Sequence, residues 1–224
     1  MTERHIVAIG GDGLLADDGV FERYVFALTG KPSPRLLYLP TATGDRSESL
    51  EAVEERFPGA TPLRLFWRNE DRVDPRATIL DHDVILVGGG NTANMLAIWR
   101  VHGVDAALRE AWERGIVLTG ASAGMICWFE CSVTDSFGAA APLHDGLAFL
   151  PGSACPHYDG EPERRPTYTR LVQNEGFPAG YAADDGAALH FVGTELAECV
   201  ASRAGSSVYW VGPDGEVPLP TRLL

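Results

Sequence analysis

Apolar runs alternate with helical stretches over the first half of this 224-residue chain. Runs rich in β-branched residues predict buried strands at residues 5–9, 35–39, 61–65, 83–87 and 116–119. Between them, apolar spacing and turn residues predict helices at 19–28, at 47–57 and over 91–114, the last broken near His102 and Gly103. Strands that alternate with helices form a mostly parallel sheet with helices on its faces. The pattern therefore predicts an α/β fold.

The last third of the chain is less regular. Short apolar pieces at 147–149, 187–191, 198–201 and 208–211 are separated by Gly and Pro turns. We expect these pieces to form antiparallel edge strands. No repeat, low-complexity tract or linker divides the sequence, so one domain is predicted over residues 1–224.

The charge balance limits the partners of this chain. It carries 31 acidic and 18 basic residues, a formal net charge of −13, whereas nucleic acids and anionic membranes attract clustered Lys and Arg. No segment approaches the ~18 consecutive apolar residues that span a bilayer. The N-terminal residues lack the pattern of a secretory signal. We therefore expect a cytoplasmic protein that binds a small molecule or peptide.

The sequence offers no motif for a metal or a cofactor. Its four cysteines form no C-x-x-C pair and no zinc-like cluster, and we expect buried free thiols at Cys127, Cys131, Cys155 and Cys199. The first two are four residues apart on a helix predicted after residue 122 and could share one face. The glycines at 10–13 do not match G-x-G-x-x-G and are interpreted as a plain strand-to-helix loop.

A glycine-flanked serine follows the fifth predicted strand. The segment GASAG at 120–124 matches G-x-S-x-G, in which a tight strand-to-helix turn lifts the serine out of the strand. Ser122 is therefore a candidate nucleophile. The alternative is a glycine-rich turn whose serine only caps the next helix.

A second glycine cluster follows the fourth strand, at residues 88–90, and opens the next helix. Successive amides before a helix suit an anion or a developing oxyanion. Gly89 and Gly90 are oxyanion candidates, and the amide of Ala123 is the third. The alternative is a turn that merely needs glycine. Ligands of open α/β sheets bind at the carboxyl ends of the strands, where both loops are predicted.

A serine nucleophile needs a base, and the chain has six histidines. Four of them lie at or inside predicted elements. Of the other two, His157 is the first candidate for the base, because the preceding proline stiffens the chain there and polar groups flank it. His144 is the second candidate. The third member of such a site is a carboxylate, which fixes the tautomer of the histidine. Four aspartates are available, and spacing does not choose among Asp135, Asp159, Asp184 and Asp185.

Three segments together resemble the peptidase E family: VGGGNT at 87–92, GASAG at 120–124 and PHYD at 156–159. The resemblance covers most of the chain. It implies serine dipeptidases related to cyanophycinase, with a class I glutamine amidotransferase-like α/β fold. It also implies metal-independent hydrolysis of short peptides, chiefly dipeptides with an N-terminal aspartate.

The resemblance also implies roles for individual residues. Ser122 matches the nucleophile and His157 the base. Asp135 resembles the acid of the aspartyl dipeptidases and is slightly favoured, while Asp185 falls where cyanophycinase-like members carry a glutamate. Arg165 is the nearest match to an arginine that pairs with the substrate aspartate, and Asn91 is assigned to substrate binding beside it.

Other functions stay open at this point. An α/β-hydrolase esterase shares G-x-S-x-G, but its histidine usually comes late, after the acid, whereas His157 lies well before the end of the chain. A broader-specificity peptidase of the same family and a cyanophycinase-like hydrolase are close alternatives. A non-catalytic binding protein on an amidotransferase-like scaffold is a different class. A homodimer is compatible with the sequence.

Overall fold

The structure is a computed structural model, and it describes residues 3–15, 19–66 and 73–224. The described strands are β1 His5–Ile9, β2 Leu36–Leu39, β3 Thr61–Pro62, β4 Val84–Val87, β5 Val117–Ala121, β6 Phe129–Thr134, β7 Ala141–Leu143, β8 Leu150–Cys155, β9 Gly180–Ala183, β10 Ala187–Val192, β11 Glu195–Ala201, β12 Val208–Gly212, β13 Gly215–Leu219 and β14 Thr221–Leu223. The described helices are α1 Val20–Ala27, α2 Ser47–Arg56, α3 Pro75–Leu80, α4 Thr92–His102, α5 Val104–Glu113, α6 Ala123–Ile126 and α7 Arg164–Asn174.

The larger sheet has eight strands in the order β14-β11-β10-β1-β5-β4-β2-β3. The run from β1 to β3 is parallel, whereas β10 is antiparallel to both β1 and β11. The register pairs Ile9 with Ala121 and Val87 with Gly120, so the carboxyl ends of β1, β4 and β5 lie at one edge. The predicted α/β fold, with a mostly parallel sheet and antiparallel strands from the C-terminal third, is confirmed.

Helices cover both faces of this sheet. Along β1, Ile6 and Ala8 belong to the core cluster that includes α4 and α5, while Val7 and Ile9 belong to the cluster that includes α1 and α2. Successive side chains of a strand point to opposite faces, and every residue of β1 is buried. This explains the continuous apolar runs, which are typical of parallel strands buried on both sides.

A second sheet of six strands was not predicted. Its order is β13-β12-β9-β8-β6-β7, and its inner strands β6, β8 and β9 are parallel. The strand predicted at 147–149 is wrong, because the backbone there turns and donates from Phe149 and Leu150 to the carbonyl of Trp128. The strand of this region begins at Leu150.

Two further expectations need correction, and the described helices α3 and α7 were not predicted. The helix after Ser122 has only four residues, so Cys131 lies on β6 and shares no helix face with Cys127. The strand predicted at 61–65 is limited to Thr61–Pro62.

No helix among the described residues combines the length and apolarity that crossing a membrane requires. The single domain, the homodimer and the cytoplasmic location stay predictions.

Candidate active site

Ser122 lies one residue beyond β5, on a strained turn. Its φ of 58° and ψ of −114° are uncommon for a residue that carries a Cβ. Its amide donates to the carbonyl of Ile9 at 3.2 Å, and its own carbonyl accepts the amides of Met125 and Ile126. Its hydroxyl has no hydrogen-bond partner within the described ranges. The turn therefore presents a free hydroxyl at the edge of the sheet.

The two glycines around this serine are required by close packing. A Cβ on Gly120 would lie 2.5 Å from the carbonyl oxygen of Val87, and one on Gly124 would lie 2.3 Å from the same oxygen. The end of β4 therefore packs directly against the turn. This packing brings Ser122 beside the loop that follows β4, where a Cβ on Gly89 would lie 3.8 Å from the Oγ of Ser122.

The amides of that loop are partly free. Gly88 donates to Leu39 at 3.2 Å and Asn91 donates to Ala42 at 2.9 Å, whereas Gly89 and Gly90 donate to no acceptor in the described part of the chain. Ala123 is the first residue of α6, and amides at a helix start have no partner within the helix. Free amide donors therefore lie in the loop after β4 and at the first residue of α6, next to Ser122.

His157 and Asp185 follow two neighbouring parallel strands of the second sheet. Cys155 of β8 is in register with Ala182 of β9, so the loops after both strands lie at one edge. The Nδ1 of His157 is 2.6 Å from the Oδ1 of Asp185. Both side chains are about one-fifth exposed, at 21% and 22%, which leaves the pair accessible to a substrate.

Backbone contacts fix the position of Asp185. Asp159 accepts its amide proton at 2.8 Å, while Ser206 and Arg203 donate to its carbonyl oxygen at 2.7 and 2.9 Å. Asp184, the residue before Asp185, has a different partner: its carboxylate accepts the amide of Ser207 at 3.0 Å. Burial raises the pKa of Asp184. The structure thus orients one of the two adjacent aspartates toward the histidine.

The loop after β1 joins the two halves of the site. Ser122 is bonded to Ile9, His157 donates its amide to Gly10 at 3.3 Å, and Gly11 forms a β-bridge with Asp185. A Cβ on Gly11 would lie 1.9 Å from the Oδ1 of Asp185. The sequence was interpreted here as a plain loop, and this role was missed. Its place at the end of a parallel strand was the available signal.

A cavity of about 190 Å³ opens beside Ser122. Gly90, Asn91 and Ser136 line it together with three charged side chains, Asp135, Glu161 and Arg164. Asn91 caps α4 by accepting the amide of Asn94 at 2.9 Å, and it donates to the carbonyl of Ser136 at 2.9 Å.

The remaining predicted site residues lie apart from the histidine. Asp135 is 3.4 Å from Arg164 and makes no hydrogen bond to His157. Arg165 binds Glu216 through two nitrogens, which raises the pKa of the arginine, and it does not line the cavity. His144 lies 3.6 Å from the Sγ of Cys131.

The thiols are buried and lie outside this chemistry. Burial raises the pKa of all four cysteines, to about 12 at Cys199, so they stay protonated at neutral pH. Among the described residues, no group of three or more His, Cys, Asp or Glu side chains is placed to hold a metal ion.

Comparison with known proteins identifies the family of this chain. Residues 7–199 match the sequence model of Peptidase family S51. The chain belongs to this peptidase family. Over 99% of its length it is 42% identical to a Bacillus subtilis (strain 168) protein named "Uncharacterized peptidase YgaJ", of which the match covers 99%. The resemblance to peptidase E is therefore confirmed at the level of the family, and the chain is a peptidase.

Two solved structures share the fold of this S51 peptidase. A peptidase from an acI-B1 Actinobacterium matches 98% of the chain and 95% of its own length, with 16% identity and a TM-score of 0.72. A putative peptidase E protein from Listeria monocytogenes EGD-e matches 87% of the chain and 97% of its own length, with 18% identity and a TM-score of 0.62. At these identities the likeness concerns the fold alone.

Proposed function

We propose that the chain hydrolyses short peptides through an acyl-enzyme, with Ser122 as nucleophile, His157 as base and Asp185 as acid. The contact of 2.6 Å between His157 Nδ1 and Asp185 Oδ1 is the observation that carries this proposal. It leaves the Nε2 of the imidazole to accept a proton, which is the arrangement that a serine nucleophile needs.

The proposed reaction begins when the Nε2 of His157 takes the proton of Ser122, whose Oγ attacks the scissile carbonyl carbon. The free amides of Gly89, Gly90 and Ala123 donate to the oxyanion that forms. The imidazolium then protonates the leaving amine, and the C–N bond breaks. A water molecule, deprotonated by His157, hydrolyses the ester and releases Ser122.

Without substrate, the hydroxyl of Ser122 has no hydrogen bond to His157. Catalytic hydrogen bonds often tighten only when substrate is bound.

Asp185 is preferred to Asp135 as the acid because of the partner that each aspartate has. Asp185 bonds His157, whereas Asp135 is 59% exposed and lies beside Arg164. A carboxylate that orients a catalytic imidazole must contact its Nδ1–H. Asp135 is therefore proposed to act in substrate binding.

The size of the cavity supports short substrates. Its volume of about 190 Å³ is that of roughly six water molecules and lies below the ~300 Å³ at which drug-sized pockets begin. One amino-acid residue before the scissile bond fits such a space. An N-terminal aspartate, implied by the resemblance, requires a cationic partner, yet Arg164 and Arg165 are both already paired with carboxylates. We therefore propose short peptides without a requirement for aspartate.

Substitution of the serine tests this function. Ser122→Ala should lower kcat on an X-Leu and Asp-X dipeptide library by at least about a thousandfold, because the acyl-enzyme cannot form. A fluorophosphonate should label the wild type and not this variant. Ser33→Ala, a substitution of an exposed serine before β2, is the matched control and should keep both turnover and labelling. Unchanged turnover in Ser122→Ala overturns the proposal. A wild type that neither turns over peptides nor reacts would instead be a binding protein.

A further inference from the structure

The charges that line the cavity beside Ser122 differ in accessibility. The side chains of Asp135 and Glu161 are 59% and 44% exposed, whereas that of Arg164 is 3% exposed. An incoming molecule therefore meets the two carboxylates, and the guanidinium lies behind them. The formal charges of the three groups sum to −1, and the two groups that a substrate can contact are both negative.

Arg164 already has its hydrogen-bond partners. Its Nε donates to Glu161 at 2.6 Å, its Nη1 donates to the carbonyl of Val133 at 3.0 Å, and its Nη2 is 3.4 Å from Asp135. A substrate carboxylate would have to displace one of these acceptors to reach the guanidinium. Each carboxylate, by contrast, contacts Arg164 through one oxygen, and within the described ranges the second oxygen of each has no hydrogen-bond partner.

The lining of the cavity bears on which side of the scissile bond it could receive. The leaving amine has to come within reach of His157, which protonates it, and His157 is not among the residues that line the cavity. Ser122, Gly90 and Asn91 do line it. The amino end of α4 adds partial positive charge at Gly90 and Asn91, on the side of the proposed oxyanion.

We propose that this cavity is the acyl-side subsite of the proposed peptidase, on which the inference rests, and that it selects a residue with a cationic nitrogen and disfavours an acidic one. Asp135 and Glu161 are the specificity-determining residues. The cation is an ammonium group, and two sources supply it: the free α-amino group of the first residue, or the side chain of a first residue such as lysine.

Five dipeptides separate these sources. We expect kcat/KM to fall in the order Lys-Leu, Ala-Leu, Asp-Leu, with about tenfold between the first and the last, the effect expected of a few exposed charge pairs. Nα-acetyl-Ala-Leu compared with Ala-Leu tests the α-amino group. Nε-acetyl-Lys-Leu compared with Lys-Leu tests the side chain. A loss in either pair supports the subsite and identifies its cation.

Neutral variants test the two carboxylates. Asp135→Asn and Glu161→Gln should each lower the Lys-Leu to Asp-Leu ratio of kcat/KM severalfold. Glu163→Gln is the matched control, since Glu163 is exposed, lies between Glu161 and Arg164 in the sequence and does not line the cavity; its ratio should match the wild type. Glu161→Gln removes a partner of a buried arginine, so its melting temperature is measured as well. If it unfolds, Asp135→Asn decides alone.

The outcomes are separable. Turnover in which Asp-Leu equals or exceeds Lys-Leu overturns the subsite alone, and so does a ratio that neither neutral variant changes. Lack of turnover for every peptide, together with no fluorophosphonate labelling of Ser122, overturns the proposed function and the subsite with it.

Discussion

Asp185 and Asp135 are proposed for different tasks, and replacing each carboxylate by an amide distinguishes the two tasks. Asp185→Asn should lower kcat on Ala-Leu by about a thousandfold or more, because an amide nitrogen facing Nδ1 favours the wrong tautomer of His157. Asp135→Asn should change kcat much less, since Asp135 contacts Arg164. Steady-state kinetics of both variants at one pH checks this. The reverse order of effects would make Asp135 the acid.

The sequence left this choice open for a physical reason. His157 and Asp185 are 28 positions apart, and their contact depends on the parallel pairing of β8 with β9. Neither strand was predicted, so no rule could bring the two loops together. Ser122, His157 and the free amides could be proposed because each belongs to a local motif.

Arg164 and Arg165 show a second limit at this scale. Adjacent residues of a helix point about 100° apart, so at the start of α7 one arginine turns inward to Val133 and the other turns to Glu216 on β13. The resemblance to the peptidase E family implied an arginine near the substrate, and Arg165 was its nearest match. The cavity is lined by its neighbour, Arg164.

At the scale of elements, strand composition decides what could be predicted. The strands β1, β2 and β4 each contain four consecutive apolar residues, and β5 begins with Val117 and Leu118. All four strands were predicted close to their observed bounds. In the second sheet, β8 contains Pro151 and Gly152, and β9 begins with a glycine. Such residues have low strand propensity, and only pairing with neighbouring strands holds them in a sheet.

The cap of α4 connects helix stability to the cavity. Asn91→Ala loses the bond to Asn94 and should reduce the free energy of unfolding by about 1 kcal/mol. Asn91→Ser keeps a capping oxygen, so it should lose only a few tenths. Both variants lose the donor to Ser136 and free the loop that carries Asp135, so KM should rise in both. Urea unfolding and kinetics check this, and equal destabilisation of the two variants would exclude the cap as the cause.

Across the whole molecule, the two ends of β1 have different tasks. Its carboxyl end joins both sheets at the proposed active site, while His5 at its beginning enters a side-chain network. His5 Nδ1 lies 3.0 Å from His190 Nε2, and His190 Nδ1 lies 2.6 Å from the hydroxyl of Tyr24, which donates to Glu198 at 2.7 Å. Arg222 completes the network on Glu198. Because the carboxylate of Glu198 only accepts, the Tyr24 hydroxyl donates to it and accepts from the Nδ1–H of His190. When His190 is neutral, its Nε2 can accept the Nδ1–H of His5.

This network should make the stability of the fold sensitive to acid. Burial, with His5 alongside, lowers the pKa of His190 from 6.5 to about 4, although Glu198 and Glu3 oppose the shift. The unfolded chain therefore binds one more proton between pH 6.5 and about 4, so stability is lost as pH falls through this window, by about 1.4 kcal/mol per pH unit. A proton added to His190 Nε2 would face the one on His5 Nδ1.

Urea unfolding at several pH values tests this. We expect the free energy of unfolding of the wild type to fall more steeply between pH 7 and pH 5 than that of His190→Gln, which has no imidazole at this position. His102→Gln, at an exposed histidine, should retain the wild-type slope. If the slope of His190→Gln equals that of the wild type, the acid sensitivity belongs to other groups.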